Sequence, residues 1–166
     1  MELMFKGEKA EMLQKKSGVN IVGYRHTGII VLNLENSLAF YHKILGLEII
    51  QEHVDSSEYI SEITKLDKLT AKYAKLRIPG GAILELLTYP SHPTEKAASE
   101  IHQVGEAHLA FAVESAIQAY HELVENKVIC LSKPVLSSEK IAKVFFCLDP
   151  DNYRVEIVEM LEFPEA

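Results

Sequence analysis

The sequence predicts an α+β fold made of two βαβββ modules within one structural domain, and three features carry that prediction. A strand-helix-strand-strand-strand order is legible over about seventy residues and then a second time. Matching positions of the two halves hold matching residues: Tyr41-His42 and Tyr120-His121 in the helices, His26 and His108 in the first strands. In each half a glutamate follows a turn proline by six residues, Pro79 to Glu85 and Pro150 to Glu156. A unit that cannot bury its own sheet face alone must pack against its twin. The chain divides into an N-terminal extension (1–20), a first module (21–90), a linker (91–104) and a second module (105–162).

The elements follow in order. Residues 1–20 are polar and rich in lysine and glutamate, with no apolar stripe. "YRHTGIIVL" (24–32) is β-branched and apolar, which predicts a strand buried on both faces. "ENSLAFYHKILG" places Leu38, Tyr41, Ile44 and Leu45 at helical spacing and stops at Gly46. "LEIIQEHV" and "KYAKLRI" read as strands, "PGG" as a turn, and "AILELLTYP" as a strand ended by proline. Between the second and third strands, Ile60, Ile63, Leu66 and Leu69 recur every three residues. That spacing predicts a short helix in the 55–71 segment, placed as a lid over the cleft, as a dimer contact or as simple packing.

After the polar linker, "EAHLAFAV" reads as a strand and "SAIQAYHELVEN" as a helix. Ser115 and Gln118 stand in capping-box spacing, with Ile117, Tyr120, Leu123 and Val124 on one face. "VICLSKPV", "AKVFFCLD" and "YRVEIVEM" complete the second module.

Composition narrows the function. With 166 residues, 48% of them hydrophobic and 25% charged, the chain is long enough for an ordinary core, which argues against disorder. A formal net charge of −7 argues against a nucleic-acid partner and leaves small molecules open. Cys130 and Cys147 have neither zinc-knuckle nor CxxC neighbours, so both read as free buried thiols. No apolar run approaches the roughly 18 residues of a membrane span, and a reducing cytoplasm is the expected setting.

The repeat changes how Glu156 reads. In "DPDNYRVEIVE" an isolated strand glutamate faces water; paired with Glu85, it becomes the second copy of a position used twice. A pseudo-twofold relation would bring His26, Glu85, His108 and Glu156 to one surface if all four point inward. Two imidazoles and two carboxylates suit a divalent first-row metal and leave room for substrate. His42 and His121 read as surface residues, His92 and His102 as linker residues, and Tyr41 and Tyr120 as core aromatics.

These motifs carry a resemblance. "HTGIIVLNLENSLAFYHKILGLEI", "GEAHLAFAVES" and "DPDNYRVEIVE" resemble the first strand and helix, the second-module opening and the closing strand of the vicinal oxygen chelate superfamily. The resemblance spans residues 24–160 and implies eight strands in an open, barrel-like sheet around a metal cleft. It also implies that His26, Glu85, His108 and Glu156 are the metal ligands, that the metal is zinc, nickel, cobalt or manganese, and that the protein is a homodimer.

"ELLTYP" and the Asp-Pro-Asp turn look most like glyoxalase I. That likeness implies a metal-dependent lyase or isomerase which removes a proton next to a carbonyl through an enediolate, with Glu156 as base and Glu85 able to exchange roles with it. Where glyoxalase I has an arginine four residues after the first histidine, Ile30 stands here, leaving Arg25, Arg77 or another basic residue to substitute. "HTGIIV" is similar to methylmalonyl-CoA epimerase, so an acyl-CoA epimerase is the alternative. Two others are a sequestering resistance protein, for which four ligands are unnecessary, and an extradiol dioxygenase, whose two histidines and one carboxylate on iron leave Glu85 unused.

Overall fold

A computed structural model describes residues 18–95 and 100–161. Most of the N-terminal extension, part of the linker and the last residue of the second module lie outside the described residues. The strands form two open four-stranded sheets with the same topology. In the first, β1 (Thr27–Ile30) lies parallel to β4 (Ile83–Thr88), followed by β3 (Ala71–Arg77) and β2 (Glu48–Asp55). In the second, β5 (Leu109–Ala112) lies parallel to β8 (Arg154–Met160), followed by β7 (Ala142–Leu148) and β6 (Val135–Leu136). The βαβββ order occurs twice.

Each module's main helix begins with a side-chain cap. Asn33 accepts from the Asn36 amide at α1 (Leu34–Leu38), and Ser115 accepts from the Gln118 amide at α3 (Ala116–Glu125). The capping box at α3 is half formed: Gln118 donates its side-chain amide to Glu122 instead of reaching back to Ser115. The amide of the buried Ala116, at the helix N-terminus, donates to Glu159 of β8, 2.9 Å away.

After α1 the chain continues as a π-helical segment, Ala39–Ile44. The wider turn allows the adjacent Phe40 and Tyr41 both to enter the core, their rings edge to face at 4.9 Å. The buried stripe is therefore Leu34, Ser37, Phe40 and Tyr41, with Leu38, Ile44 and Leu45 packed against it. In α3 the inward residues are Ala116, Ala119, Tyr120 and Leu123, whereas Ile117 and Val124 face solvent.

Three further expectations change. The first strand is not buried on both faces, because Ile29 is inside while Ile30 is 50% exposed. "VICLSKPV" yields only an isolated bridge, Cys130 to Cys147, and the two-residue β6. The predicted 55–71 helix is α2 (Glu58–Thr64), which buries none of its own residues; of the four recurring apolar residues, Leu69, beyond its end, is the one that reaches the interior. Both thiols are free, but only Cys147 is buried and Cys130 is half-buried; burial pushes the Cys147 thiol up to about 12 and raises Cys130 as well. Among the described residues no helix is long and apolar enough to cross a membrane.

One buried cluster joins the modules, with Ile29, Leu84 and Leu86 from the first and Phe145, Val155 and Ile157 from the second. A polar clasp accompanies it. The buried Asp149 carboxylate accepts from the amides of Asp151 and Tyr153 and from the Tyr41 hydroxyl at 3.0 Å. Asp151 accepts from the Leu32 amide at 2.8 Å. The turn before β8 thus holds both the π-helical segment and the end of β1 in the other module.

Tyr41→Phe removes one buried bond and leaves an acceptor less satisfied, for an expected loss of about 1–3 kcal/mol in urea unfolding. Burial raises the Asp149 carboxyl above its ordinary 3.8 in spite of its hydrogen bonds. The folded chain then holds that proton more tightly than the unfolded chain. This contribution to stability is present below pH 3.8 and is lost as pH rises through the raised value. Unfolding measured across that range is expected to show a shallower pH dependence in Asp149→Asn than in the wild type.

Candidate metal centre

Strand register places the four predicted ligands. In the parallel ladder of the first module, Gly28 lies opposite Glu85, so His26, two residues earlier on the chain, can reach the glutamate from the start of β1. In the second, Ala110 lies opposite Glu156, and His108 stands two residues before it. The result is one pair per module: His26 Nε2 is 3.2 Å from Glu85 Oε2, and His108 Nε2 is 3.3 Å from Glu156 Oε2.

Small residues at the opposing positions leave room beside the carboxylates. A Cβ on Gly28 would stand 3.2 Å from a Leu87 methyl and 3.8 Å from Glu85 Oε2, so a larger side chain would crowd both. Two ligands of one ion, with bonds of about 2.1 Å, stand about 3.0–3.4 Å apart at octahedral to tetrahedral angles. Both pairs have that spacing. The donor set of imidazole nitrogen and carboxylate oxygen is also chemically suited to a divalent metal.

The single chain gathers the four residues as two pairs and not as a quartet. Among the described residues no group of three or more histidines, cysteines or acids is close enough to hold an ion. A hollow of about 580 Å³ lies elsewhere, between Ile30 and Leu32 on one side and Glu106, Asp151 and Arg154 on the other, and includes none of the four. Both pairs therefore sit on sheet surfaces that one chain does not enclose.

The pairs differ in their surroundings. Glu85 is held twice, because Lys75 Nζ stands 3.4 Å from its second oxygen, and its side chain is 11% exposed. Glu156 is 23% exposed, and His108 is its one ion-pair partner among the described residues. Lys75 lies directly across from Glu85 on β3, and Phe146 directly across from Glu156 on β7. Tyr89, beyond the end of β4, has its hydroxyl pushed up by burial and then by the Glu85 charge, which keeps it neutral.

Sequence reading missed Lys75, although a signal exists. Gly80 and Gly81 both adopt positive φ in the tight turn between β3 and β4, and that turn fixes residue 75 opposite residue 85. The other histidines are placed as expected, with His42, His102 and His121 exposed and His92 beside Ser91. His53 is exposed and packs on Tyr73. Arg77 pairs with Glu48 at 3.1 Å, and Arg25 is exposed.

Fold and geometry together define a class: a paired-module α+β protein with one histidine-glutamate pair at equivalent places in each module. The chain belongs to the Glyoxalase/Bleomycin resistance protein/Dioxygenase superfamily, whose sequence profile matches residues 23–157. It is 32% identical over 146 residues to the lactoylglutathione lyase of Schizosaccharomyces pombe, covering 82% of this chain and 47% of that protein. The chain thus spans about half the length of that enzyme. It is also 32% identical to the protein YwkD of Bacillus subtilis, over 81% of this chain and 94% of that one. The lactoylglutathione lyase of Salmonella typhimurium is 27% identical, with 81% and 90% covered.

Solved structures share the fold. A glyoxalase family protein from Bacillus cereus superposes with a TM-score of 0.79 at 17% identity, covering 88% of this chain and 99% of that one. The trypanothione-dependent glyoxalase I of Leishmania major gives 0.57 at 23% identity, covering 81% and 84%.

Removing either carboxylate separates the two half-sites by stability. Glu85→Gln strands Lys75 as a largely buried, unmatched cation and is expected to cost about 2–3 kcal/mol. Glu156→Gln leaves no such charge, and a loss of about 1 kcal/mol or less is expected in the same denaturant titration.

Proposed function

We propose that the protein is a metal-dependent lyase or isomerase of the glyoxalase I type, acting on a small molecule as a homodimer with composite sites. His26 and Glu85 of one copy complete each site with His108 and Glu156 of the second. The observation that carries this reading is the pair geometry. Each histidine and glutamate stand at the separation of two ligands on one ion, yet a single chain supplies only two such residues at a place. Two of the relatives named above are lactoylglutathione lyases, which supports the reaction class.

A proton on a carbon next to a carbonyl leaves with difficulty at neutral pH, because water stabilises the resulting anion poorly. A divalent ion in this donor set supplies Lewis acidity toward the substrate's oxygens, and zinc, nickel, cobalt and manganese all accept such ligands. The protein's own residues do the rest. His26 and His108 fix the site through Nε2. Glu85, the less exposed of the two carboxylates and paired with Lys75, stays in place. Glu156, more exposed and less restrained, takes the proton from carbon and returns it to the neighbouring carbon.

Glu156→Gln is expected to keep most of its metal, measured by elemental analysis, while turnover of a hemithioacetal falls by about 10²–10⁴-fold. Full activity in that variant overturns the assignment of the base. His26→Ala and His108→Ala are each expected to lose metal. In mixed dimers of these two variants, one site of each heterodimer is intact, so refolding them together is expected to restore about a quarter of wild-type activity. No recovery would show that each chain builds its own sites.

A further inference from the structure

The two halves of the centre differ most in the residue facing each glutamate across the antiparallel ladder. Lys75 faces Glu85, and Phe146 faces Glu156. Lys75 Nζ lies 3.4 Å from Glu85 Oε1 and 5.0 Å from the Tyr73 ring centroid, and its side chain is only 17% exposed. Phe146 instead meets the His108 ring edge to face at 5.5 Å. One half-site has a cation facing its glutamate, and the other has an aromatic ring.

Charge counting gives this difference a chemical meaning, resting on the metal site proposed above. Two glutamates neutralise a divalent ion, and two imidazoles add no charge. Lys75 then leaves one positive charge unmatched. The neighbouring cations do not share this property, since Arg77 is paired with Glu48 at 3.1 Å and Arg154 with Glu106 at 3.0 Å. An unmatched cation on a largely buried side chain is costly unless an anion accompanies it. An ammonium beside the metal is also a compact point charge suited to a single carboxylate.

We infer that the substrate is a carbonyl compound carrying its own anionic group, a carboxylate in the simplest case, and that Lys75 receives that group beside the metal as a specificity-determining residue. Gly28, across the ladder from Glu85, adds no side chain there; a Cβ would already touch Glu85 Oε2 at 3.8 Å and press on a Leu87 methyl at 3.2 Å. Module 2 has no cation opposite Glu156, so the substrate enters in one orientation. Its anionic end lies toward module 1, and the rest lies against the Phe146 wall. That orientation also presents one particular carbon to Glu156, and a symmetric pair of half-sites would not do so.

Pyruvate and its neutral isostere pyruvamide are the probes, titrated by calorimetry into the manganese-loaded full-length protein. Pyruvate is expected to bind the wild type at least tenfold more tightly than pyruvamide. At saturating manganese, Lys75→Met is expected to abolish that preference and Lys75→Arg to retain it. A residue that merely holds Glu85 in place would weaken both probes alike and leave their ratio unchanged. A preference arising from the metal alone survives in Lys75→Met and overturns the inference, as does a wild type with no preference, a result needing no folded variant. Wild-type protein that takes up no manganese, zinc, nickel or cobalt overturns the proposed function, and this inference with it. Metal uptake with a preference insensitive to Lys75 overturns the inference alone.

Discussion

The buried carboxylate of Asp149 accepts three hydrogen bonds, two from the turn leading into β8 and one from Tyr41 in the opposite module. A carboxylate out of contact with water is costly unless its oxygens are satisfied, so the turn and the Tyr41 hydroxyl are constrained together. Asp151 adds a second tie from the same turn to the Leu32 amide at the end of β1. The apolar cluster supplies the larger area of contact between the modules, but it is not directional. The clasp is directional. It fixes how one module sits against the other, and in that arrangement the two histidine-glutamate pairs remain apart.

Placement of the pairs on unenclosed sheet surfaces follows from how each module buries its apolar residues. Leu84 and Leu86 alternate with Glu85, and Val155 and Ile157 with Glu156, so one face of each sheet enters the shared core and the other carries the glutamate. A second chain laid across those faces would enclose chemistry that one chain leaves open. The surface that stabilises the single chain is thereby unavailable for bringing the four residues together.

The internal repeat keeps its backbone plan but not its neighbours. Both modules have a histidine two residues before a small residue, which faces the glutamate, and both have a capped helix. They diverge where Lys75 replaces an aromatic wall and where the π-helical segment replaces a regular turn. Divergence of this kind gives two similar carboxylates different surroundings. One is locked by a lysine and a histidine, and the other is held by a histidine alone. Membership of the Glyoxalase/Bleomycin resistance protein/Dioxygenase superfamily accounts for the shared plan.

Strand order and the two modules were legible in the sequence, because they depend on local periodicity and on turns that set register. The sequence expected the four residues on one surface and did not foresee that each histidine would pair with the glutamate of its own module. "PGG" and "DPDNY" each aim a strand, and a strand's period of two decides which residues share a face. Local patterning could not decide that Ile30 is exposed, that Ile117 and Val124 leave the core of α3, or that Phe40 joins Tyr41 inside. Those depend on what packs across from each element. Nor could it decide whether four equivalent positions converge in one chain, since that is set by Asp149, Asp151 and the shared core rather than by any repeat. Sequence spacing singled out the four equivalent positions; only the folded ladders paired them within each module, and only tertiary contacts between modules set the pairs apart.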